Sequence, residues 1–495
     1  MKKYIYIPTG NEVWLDVAIE LYKKNIADPV LWLGDDHHYL KAKEVFGEAV
    51  ISKQDFIFYP ERIKGINYKG ENADFFLSEN YLRAKDRCLK MMDRLDLYGT
   101  FNRLDREIIF NKLTIWILKR IEQSKPNALV FSETPHSHAY YLIYEVCLYL
   151  NLEIIKFNTW LPVPLLFIQD MKTDARQIKG NFSSTLSEQF KEDIINSVKC
   201  LANLKSKDSY ELPAMKIQRF ESQWKSMIIY FIQAGLLAGI KEYWFQTRMF
   251  FNSHYYPINP YKIGFFGRAR NKWLRRKNLI KEFNKNSEAI DLRSNYVYFA
   301  LHFEPERTTN PDGGVFHDQA IAISKLRDLV PDNIDIFVKE HPTHFYRADR
   351  GSRGRSPIYY DFLSNINGVK LVPQNISSLS LIENSIFNAT ITGSVCYESA
   401  IMGKQSLIFG DSWFNGCPNV SLWNASLSYE DIVNKKTFTT DQIIEFLLTE
   451  YELYAVPGCL NRATQNKFHN YLNDTFQKEE FEGVLHLLKG FFSKL

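Results

Sequence analysis

The stretch from Ser385 to Phe409 restricts the architecture more than any other part of the chain. Ser385-Ile-Phe-Asn-Ala-Thr-Ile391 reads as a short buried strand, and Thr392-Gly393-Ser394 as a tight polar turn. Val395 to Met402 carries small and apolar residues at helical spacing; Gly403 ends that helix, and Gln405 to Phe409 is the next strand. This is a β-turn-α-β unit whose turn lies at the carboxyl end of a strand. In an open parallel sheet ligands sit there, and the first amides of the following helix, at the positive end of its dipole, suit a phosphate. Ser394 would add a hydroxyl donor and Gly393 would let the backbone come close. The same three residues also read as an ordinary helix N-cap. Glu398, one turn along the same helix face as Ser394, adds a carboxylate that could accept from ribose hydroxyls.

Taken together, Gly393-Ser394, Glu398, Gly403-Lys404 and the strand after them resemble the nucleotide-binding half of GT-B glycosyltransferases. His302-Phe-Glu-Pro-Glu-Arg-Thr-Thr309 and Lys339-Glu-His-Pro342 resemble motifs of bacterial capsule and surface-polysaccharide transferases that use CMP-activated ulosonic acids, the Kdo and sialic-acid-like sugars. The resemblance covers residues 290 to 415 well and the N-terminal half in outline. His-Pro and serine-containing turns also occur in the CDP-glycerol phosphotransferases of teichoic acid synthesis.

A chain of 495 residues with 45% hydrophobic and 24% charged residues has room for two or three folded domains and is not of disordered composition. Six cysteines are scattered without a Cys-x-x-Cys pair or a histidine at zinc spacing, so reduced buried thiols and the cytoplasm are expected. The N-terminus lacks the apolar core of a signal peptide, and the longest apolar run, Met227 to Ile240, is too short to span a bilayer. Net charge is +4, but eleven Lys or Arg stand against three Glu between Lys241 and Ile290, leaving the remainder net negative.

Tyr4 to Pro8, the turn Thr9-Gly10-Asn11, a helix through Trp14 and Leu21, and a strand from Pro29 to Leu33 open a Rossmann-like domain. Glu79 to Gln123 is helical. A second such unit follows, with a strand at Ala128 to Phe131, the polar turn Ser132-Glu-Thr-Pro-His-Ser-His138, a helix to Leu150 and a strand from Glu153 to Phe157. Glu133, His136 and His138 thus meet at a carboxyl edge, where a carboxylate and imidazoles suit proton transfer or nucleophilic attack. The alternative is that Glu133 caps the helix and the histidines are surface residues. In GT-B enzymes the catalytic base commonly comes from the N-terminal domain, so the resemblance supports Glu133 or His136 without choosing between them.

Residues 166 to 290 read as an insertion that joins neither sheet. Its segment Arg268-Ala-Arg-Asn-Lys-Trp-Leu-Arg-Arg-Lys277 mixes basic and aromatic residues, as a membrane-surface helix does. A solvated face at a domain junction has the same composition, and so does a nucleic-acid contact, although no nucleic-acid motif accompanies it.

The second α/β domain begins near Ser294. His302 follows a strand, and Glu304, Glu306 and Arg307 lie at its carboxyl end; Glu306 and Arg307 are placed to shape a sugar pocket, or to form a structural pair. The next strand ends in Lys339-Glu-His-Pro, leaving His341 and Lys339 at the same rim, where they would stabilise a departing phosphate. In CMP-sugar transferases this His-Pro contacts the nucleotide phosphate. Pro373 and Gln374 follow a short strand, in a loop that in GT-B folds often borders the base. Arg347 to Arg355 reads as a loop over the site.

The expected protein is therefore α/β, a GT-B chain of two Rossmann-like domains facing a cleft. Its divisions are 1–165 (acceptor side), 166–290 (basic-aromatic insertion), 291–440 (nucleotide-binding) and 441–495 (helices packing back across the domains). The expected reaction moves an ulosonic acid from a CMP-sugar to a cell-surface glycan, free or lipid-linked. Glu133, His136 and Glu306 are the catalytic candidates. His302, Glu304, Arg307, Lys339, His341, Pro373, Gln374, Thr392, Gly393, Ser394 and Glu398 are the binding candidates. No metal or resident cofactor and no nucleic acid is expected. The location is cytoplasmic, or peripheral on the inner membrane face through residues 241–285. The rival readings are a CDP-glycerol-type phosphotransferase, a UDP- or GDP-sugar enzyme, and a non-catalytic export or scaffold protein.

Overall fold

Two Rossmann-like sheets organise the computed structural model, which describes all residues except 53–71, 96–101, 161, 174–175, 177–181, 204–264, 305–307 and 346–353. Among the described residues the strands are β1 (Lys2–Ile7), β2 (Ala27–Trp32), β3 (Ala128–Phe131), β4 (Glu153–Trp160), β5 (Leu165–Asp170), β6 (Tyr296–Ala300), β7 (Asp335–Lys339), β8 (Val369–Leu371), β9 (Asn388–Thr390), β10 (Ser406–Ile408), β11 (Val420–Leu422) and β12 (Val456–Pro457). The chain divides into two units, one of residues 1–97, 101–197 and 444–495 and one built on 198–443.

The first unit holds a six-stranded sheet in the order β12-β5-β4-β3-β1-β2. Strands β2, β1, β3 and β4 are parallel, while β5 runs antiparallel to β4 and β12 antiparallel to β5. Every side chain of β3 is buried, as a parallel strand covered on both faces requires. Asn11 caps the Glu12–Lys23 helix, whose buried stripe of Trp14, Leu15, Ala18 and Leu21 packs on one face with Leu487, Leu488 and Phe491 of the Asp474–Lys494 helix. The other face is covered by the Glu79–Leu95, Arg103–Ser124 and His138–Tyr149 helices. Two features here were not placed in the sheet by the sequence pattern, the strands β5 and β12. Strand β5, expected inside the insertion, completes this sheet, and the C-terminal residues supply both its last strand and a covering helix.

Glu480, buried on that last helix, accepts at Oε1 from the Cys459 amide (2.7 Å) and from Asn11 Nδ2 (3.0 Å). Burial pushes its carboxyl up from 4.5 to about 7 against these two hydrogen bonds. The folded chain therefore keeps a proton that the unfolded chain has already released, so stability falls as pH rises from about 4.5 to about 7. The whole loss is about 3 kcal/mol. Glu480→Gln is expected to flatten that part of the slope, read as unfolding midpoints across pH 5 to 8; an unchanged slope would refute the assignment.

The second unit's sheet has the order β11-β10-β9-β6-β7-β8, and every neighbouring pair is parallel. From β6 the chain steps outward through β7 and β8 on one side, then returns to β9 and steps outward through β10 and β11 on the other. This is the doubly wound order, and its reversal falls between β6 and β9, where the connections leaving the carboxyl ends of these strands open a crevice. Leu279, Phe283, Tyr360 and Leu363 cover one face, bringing the Phe265–Asn286 and Pro357–Ser364 helices onto it. Most of the expected insertion, including 241–264, lies outside the described residues. No described helix is long and apolar enough to cross a membrane.

Candidate functional site

Registry puts the chemistry of the second unit on one rim. Ala300 of β6 pairs with Lys339 of β7, so His302 and His341, each two residues further on, emerge from the same edge of the sheet. Thr390 ends β9 next to β6, and the turn Thr392-Gly393 leads into the Ser394–Ile401 helix at the strand-order reversal.

That helix starts uncapped. Gly393 is its N-cap residue and no side chain accepts from the first turn, which leaves the leading amides of Ser394 and Val395 directed at the crevice. A Cβ on Gly393 would lie 3.0 Å from Thr390 Oγ1 and 3.4 Å from His302 Nε2, so the turn is pressed against both. Ser394 donates to Glu398 Oε1 at 2.9 Å. Burial raises the Glu398 carboxyl, against the pull of the serine hydroxyl.

His302 is a latch between strand ends. Its Nε2 accepts from the Thr392 amide at 3.1 Å, so the neutral ring carries its proton on Nδ1, 3.4 Å from Thr308 Oγ1. Burial brings its pKa down to about 4, against the attraction of Glu304. Its own amide donates to Gln319 Oε1 at 2.8 Å.

Behind the rim lies a buried ionic core absent from the expected site. Glu340, 1% exposed, accepts from the His341 amide (2.8 Å), Arg355 Nε (2.8 Å) and Tyr360 Oη (2.9 Å). Burial pushes its carboxyl up, but the guanidinium of Arg355 and these hydrogen bonds hold it below the ordinary range. Burial likewise opposes the Arg355 charge, and Glu340 keeps it raised. Arg355 reaches on to the His302 carbonyl (2.8 Å) and lies 4.6 Å over the Tyr359 ring. One guanidinium thus joins the ends of β6 and β7. His344 Nε2 comes within 3.6 Å of Glu340, but it accepts the Glu304 amide at 2.9 Å and so has no proton there to give; this approach is not an ion pair.

His341 stands on this core. Its Nδ1 lies 2.7 Å from Thr343 Oγ1, and Nε2 makes no hydrogen bond among the described residues. Burial lowers its pKa to about 4, against Glu340. The ring is therefore neutral at physiological pH.

Other expected binding residues are turned to internal partners. Lys339 donates to the Ile376 carbonyl and to Ser378 Oγ (3.0 Å), bracing the loop after β8. Glu304 is buried and accepts from Thr309 Oγ1 (2.7 Å) and Gln319 Nε2 (3.0 Å). Gln374 Nε2 donates to the Glu340 carbonyl at 3.2 Å, and Pro373 precedes it at the edge of the same rim. Thr392 Oγ1 donates to the Thr308 carbonyl. Glu306 and Arg307 lie outside the described residues, as does most of the 347–355 loop.

In the first unit the strand order reverses between β1 and β3, and there the Thr9 amide donates to Ser132 Oγ at 2.7 Å. Glu133 follows directly. It is not the helix cap; Ser137 accepts from Tyr140 and starts the His138–Tyr149 helix. Glu133 Oε2 instead accepts from Asn461 Nδ2 at 2.8 Å. His136 is half-buried, its carbonyl accepting from Arg94. His138 is buried, with a pKa lowered to about 4 by burial and by Arg94, and its ring does not share the exposed edge with Glu133. Gly458 to Gln465 lies across this reversal, with Thr9 Oγ1 and Trp14 Nε1 both donating to the Leu460 carbonyl. The Gly458 to Gln465 segment is thus fastened at the first unit's reversal, whereas the second unit's rim presents uncapped amides and an imidazole nitrogen that makes no hydrogen bond among the described residues.

Two Rossmann-like sheets in one α/β chain, each with polar side chains at its point of reversal, define the class of protein. No family model and no curated protein matches the chain. Among solved structures it is similar to a KpsC β-Kdo 2,4 transferase of Thermosulfurimonas dismutans, at 11% identity over 64% of this chain and 78% of that one, with a TM-score of 0.24. It is similar to a UDP-GlcNAc 2-epimerase of Neisseria meningitidis, at 13% identity over 100% and 98% with a TM-score of 0.22. It is also similar to the catalytic domain of starch synthase IV of Arabidopsis thaliana, at 15% identity over 45% and 38% with a TM-score of 0.18. At such identities and scores these likenesses carry no weight, and the class rests on strand order.

Proposed function

We propose that the protein is a glycosyltransferase that moves an ulosonic acid, Kdo or a sialic-acid-like sugar, from its CMP-activated form to a cell-surface glycan. The observation that carries this reading is the pairing, at one point of strand reversal, of an uncapped helix N-terminus with a neutral histidine whose Nε2 makes no hydrogen bond among the described residues. The amides of Ser394 and Val395 would take the CMP phosphate, and Glu398 the ribose hydroxyls. In the tautomer with Thr343 donating to Nδ1, 2.7 Å away, His341 would carry its proton on Nε2 and offer it to the phosphate as the bond between sugar and phosphate breaks. Glu133, or His136 beside it, is the proposed base for the proton that the acceptor hydroxyl loses. CMP leaves with the phosphate, and the reaction draws on no resident cofactor or metal.

The acceptor in this reading is a lipid-linked glycan met at the inner face of the cytoplasmic membrane. The basic-aromatic segment makes that contact, its described part offering exposed Arg275, Lys277, Lys281 and Lys285.

A thermal-shift comparison of CMP, CDP, UDP and GDP tests the donor. A nucleotide at a hundred times its dissociation constant stabilises the fold by about 2.7 kcal/mol, and CMP is expected to shift the midpoint most. Preference for UDP or GDP would point to a diphosphate-sugar enzyme. Binding of CDP without turnover of any CMP-sugar would point to the phosphotransferase. Unchanged activity in cells after both Glu133→Ala and His341→Ala would leave a scaffold.

A further inference from the structure

We propose that His302 is a positioning residue, whose ring holds the Thr392–Ser394 turn in the shape that offers the Ser394 and Val395 amides to a phosphate; this rests on the reading of that helix end as the nucleotide site. The imidazole acts through the turn and does not touch the donor. Both ring nitrogens are turned inward: Nε2 accepts from the Thr392 amide at 3.1 Å, and Nδ1 faces Thr308 Oγ1 at 3.4 Å. The ring is also fixed at its root. The His302 amide donates to Gln319 Oε1 (2.8 Å), and its carbonyl accepts from Arg355 Nη2 (2.8 Å).

The turn is tied on its own side as well. Thr390 Oγ1 donates to the Ala300 carbonyl (2.9 Å) and Thr392 Oγ1 to the Thr308 carbonyl (3.1 Å), which stitches the end of β9 to β6 and the loop after it. The peptide joining Ile391 to Thr392 is gripped at both ends, its carbonyl accepting from the Gly410 amide at 2.9 Å and its N–H held by the imidazole. Its plane is thereby set one residue before Gly393, and with it the direction in which the next amides emerge. An N–H beside an anion site needs an acceptor that brings no negative charge. A carboxylate would take the hydrogen bond and repel the phosphate, whereas a neutral imidazole takes it and adds no charge. Burial brings the His302 pKa down to about 4, so the neutral form persists at pH 7. With the amide at Nε2, that form carries its proton on Nδ1.

Two substitutions and one spectrum test this in the full chain at pH 7, with CMP as the probe. His302→Gln keeps an uncharged acceptor near the place of Nε2 and is expected to hold the CMP dissociation constant within about threefold of the parent. His302→Ala removes the acceptor and is expected to weaken CMP about tenfold, the fold-change that one hydrogen bond makes. In nitrogen–proton correlation spectra of the labelled chain, the imidazole signals that His302→Gln deletes are expected to show a proton on Nδ1 and none on Nε2, with and without CMP. A proton on Nε2, a move of the proton when CMP binds, a Gln variant as weak as the Ala variant, or an Ala variant as tight as the parent overturns the proposal. In each of these cases CMP binding by the parent leaves the nucleotide site standing. A parent chain that binds no CMP removes the nucleotide reading and this proposal together. Should His302→Ala not fold, the spectrum and the Gln variant still decide.

Discussion

Arg355→Ala is expected to destabilise the second unit by about 3–5 kcal/mol at pH 7, the usual cost of leaving one partner of a buried ion pair uncompensated. The large figure follows from where the guanidinium sits. Arg355 and Glu340 are both buried, and the same arginine closes on the His302 carbonyl and the Tyr359 ring. Its removal strands a carboxylate and loosens the β6 end in one step. Glu340 in the folded protein is held below the ordinary range, so in the parent its contribution is present above the unfolded pKa and disappears as pH falls through the folded one. In Arg355→Ala the stranded carboxylate takes up a proton, so the difference from the parent is expected to shrink on acidification. Denaturant unfolding at two pH values measures both effects. A loss below about 1 kcal/mol, the scale of an exposed pair, would show that the core is not ionic in the way described.

His341→Ala is expected to do the opposite, lowering kcat for a CMP-sugar by about 10²–10³ while leaving the fold nearly as stable as before, as loss of one donor to a developing anion does. The ring gives up one hydrogen bond, to Thr343, and its ammonium-like form is not part of the folded state at neutral pH. Its native pKa of about 4 lies below the unfolded 6.5, so the unfolded chain gains protons first, and the folded state loses stability as pH drops from about 6.5 to about 4. His302 and His138, lowered likewise, act in the same direction. Protonation of His341 itself should not limit turnover above that range. A kcat within threefold of the parent for His341→Ala would exclude the imidazole from the reaction.

Much of the frame was legible in local pattern. Strand β3 could be bounded to the residue because four apolar positions stand between Pro126-Asn127 and Ser132, and the end of the Ser394–Ile401 helix was marked by Gly403, whose φ is +80°. The placement of His302, His341 and the Thr392–Ser394 turn on one rim followed from the strand-then-turn units at β6, β7 and β9. Less legible were features set by distant partners. Strand β5 pairs antiparallel with β4 and depends on β12, some 290 residues later, so its own six residues do not announce a sheet position. Glu340 stood between two residues that drew attention, but its partners Arg355 and Tyr360 lie one at the end of a polar run that reads as loop and the other just beyond it. Lys339 had the right residue type for a phosphate and the wrong neighbours, since the Ile376 carbonyl and Ser378 claim its ammonium. Asn461 meets Glu133 across 328 positions, a separation at which no spacing rule operates.

The first unit is interrupted in sequence, with residues 198–443 between its two parts. As the polypeptide emerges from the ribosome, the second unit has all its strands before the first receives β12, the clasp on Thr9 and Trp14, or the long closing helix. Until then Tyr4, Trp14 and Leu166 lack the neighbours Phe492, Leu460 and Val456, and a greasy half-sheet waits for its cover. Synthesis thus imposes an order of assembly in which the second unit matures first, and the half built around Glu133 is the one that chaperones and proteases would meet unfinished.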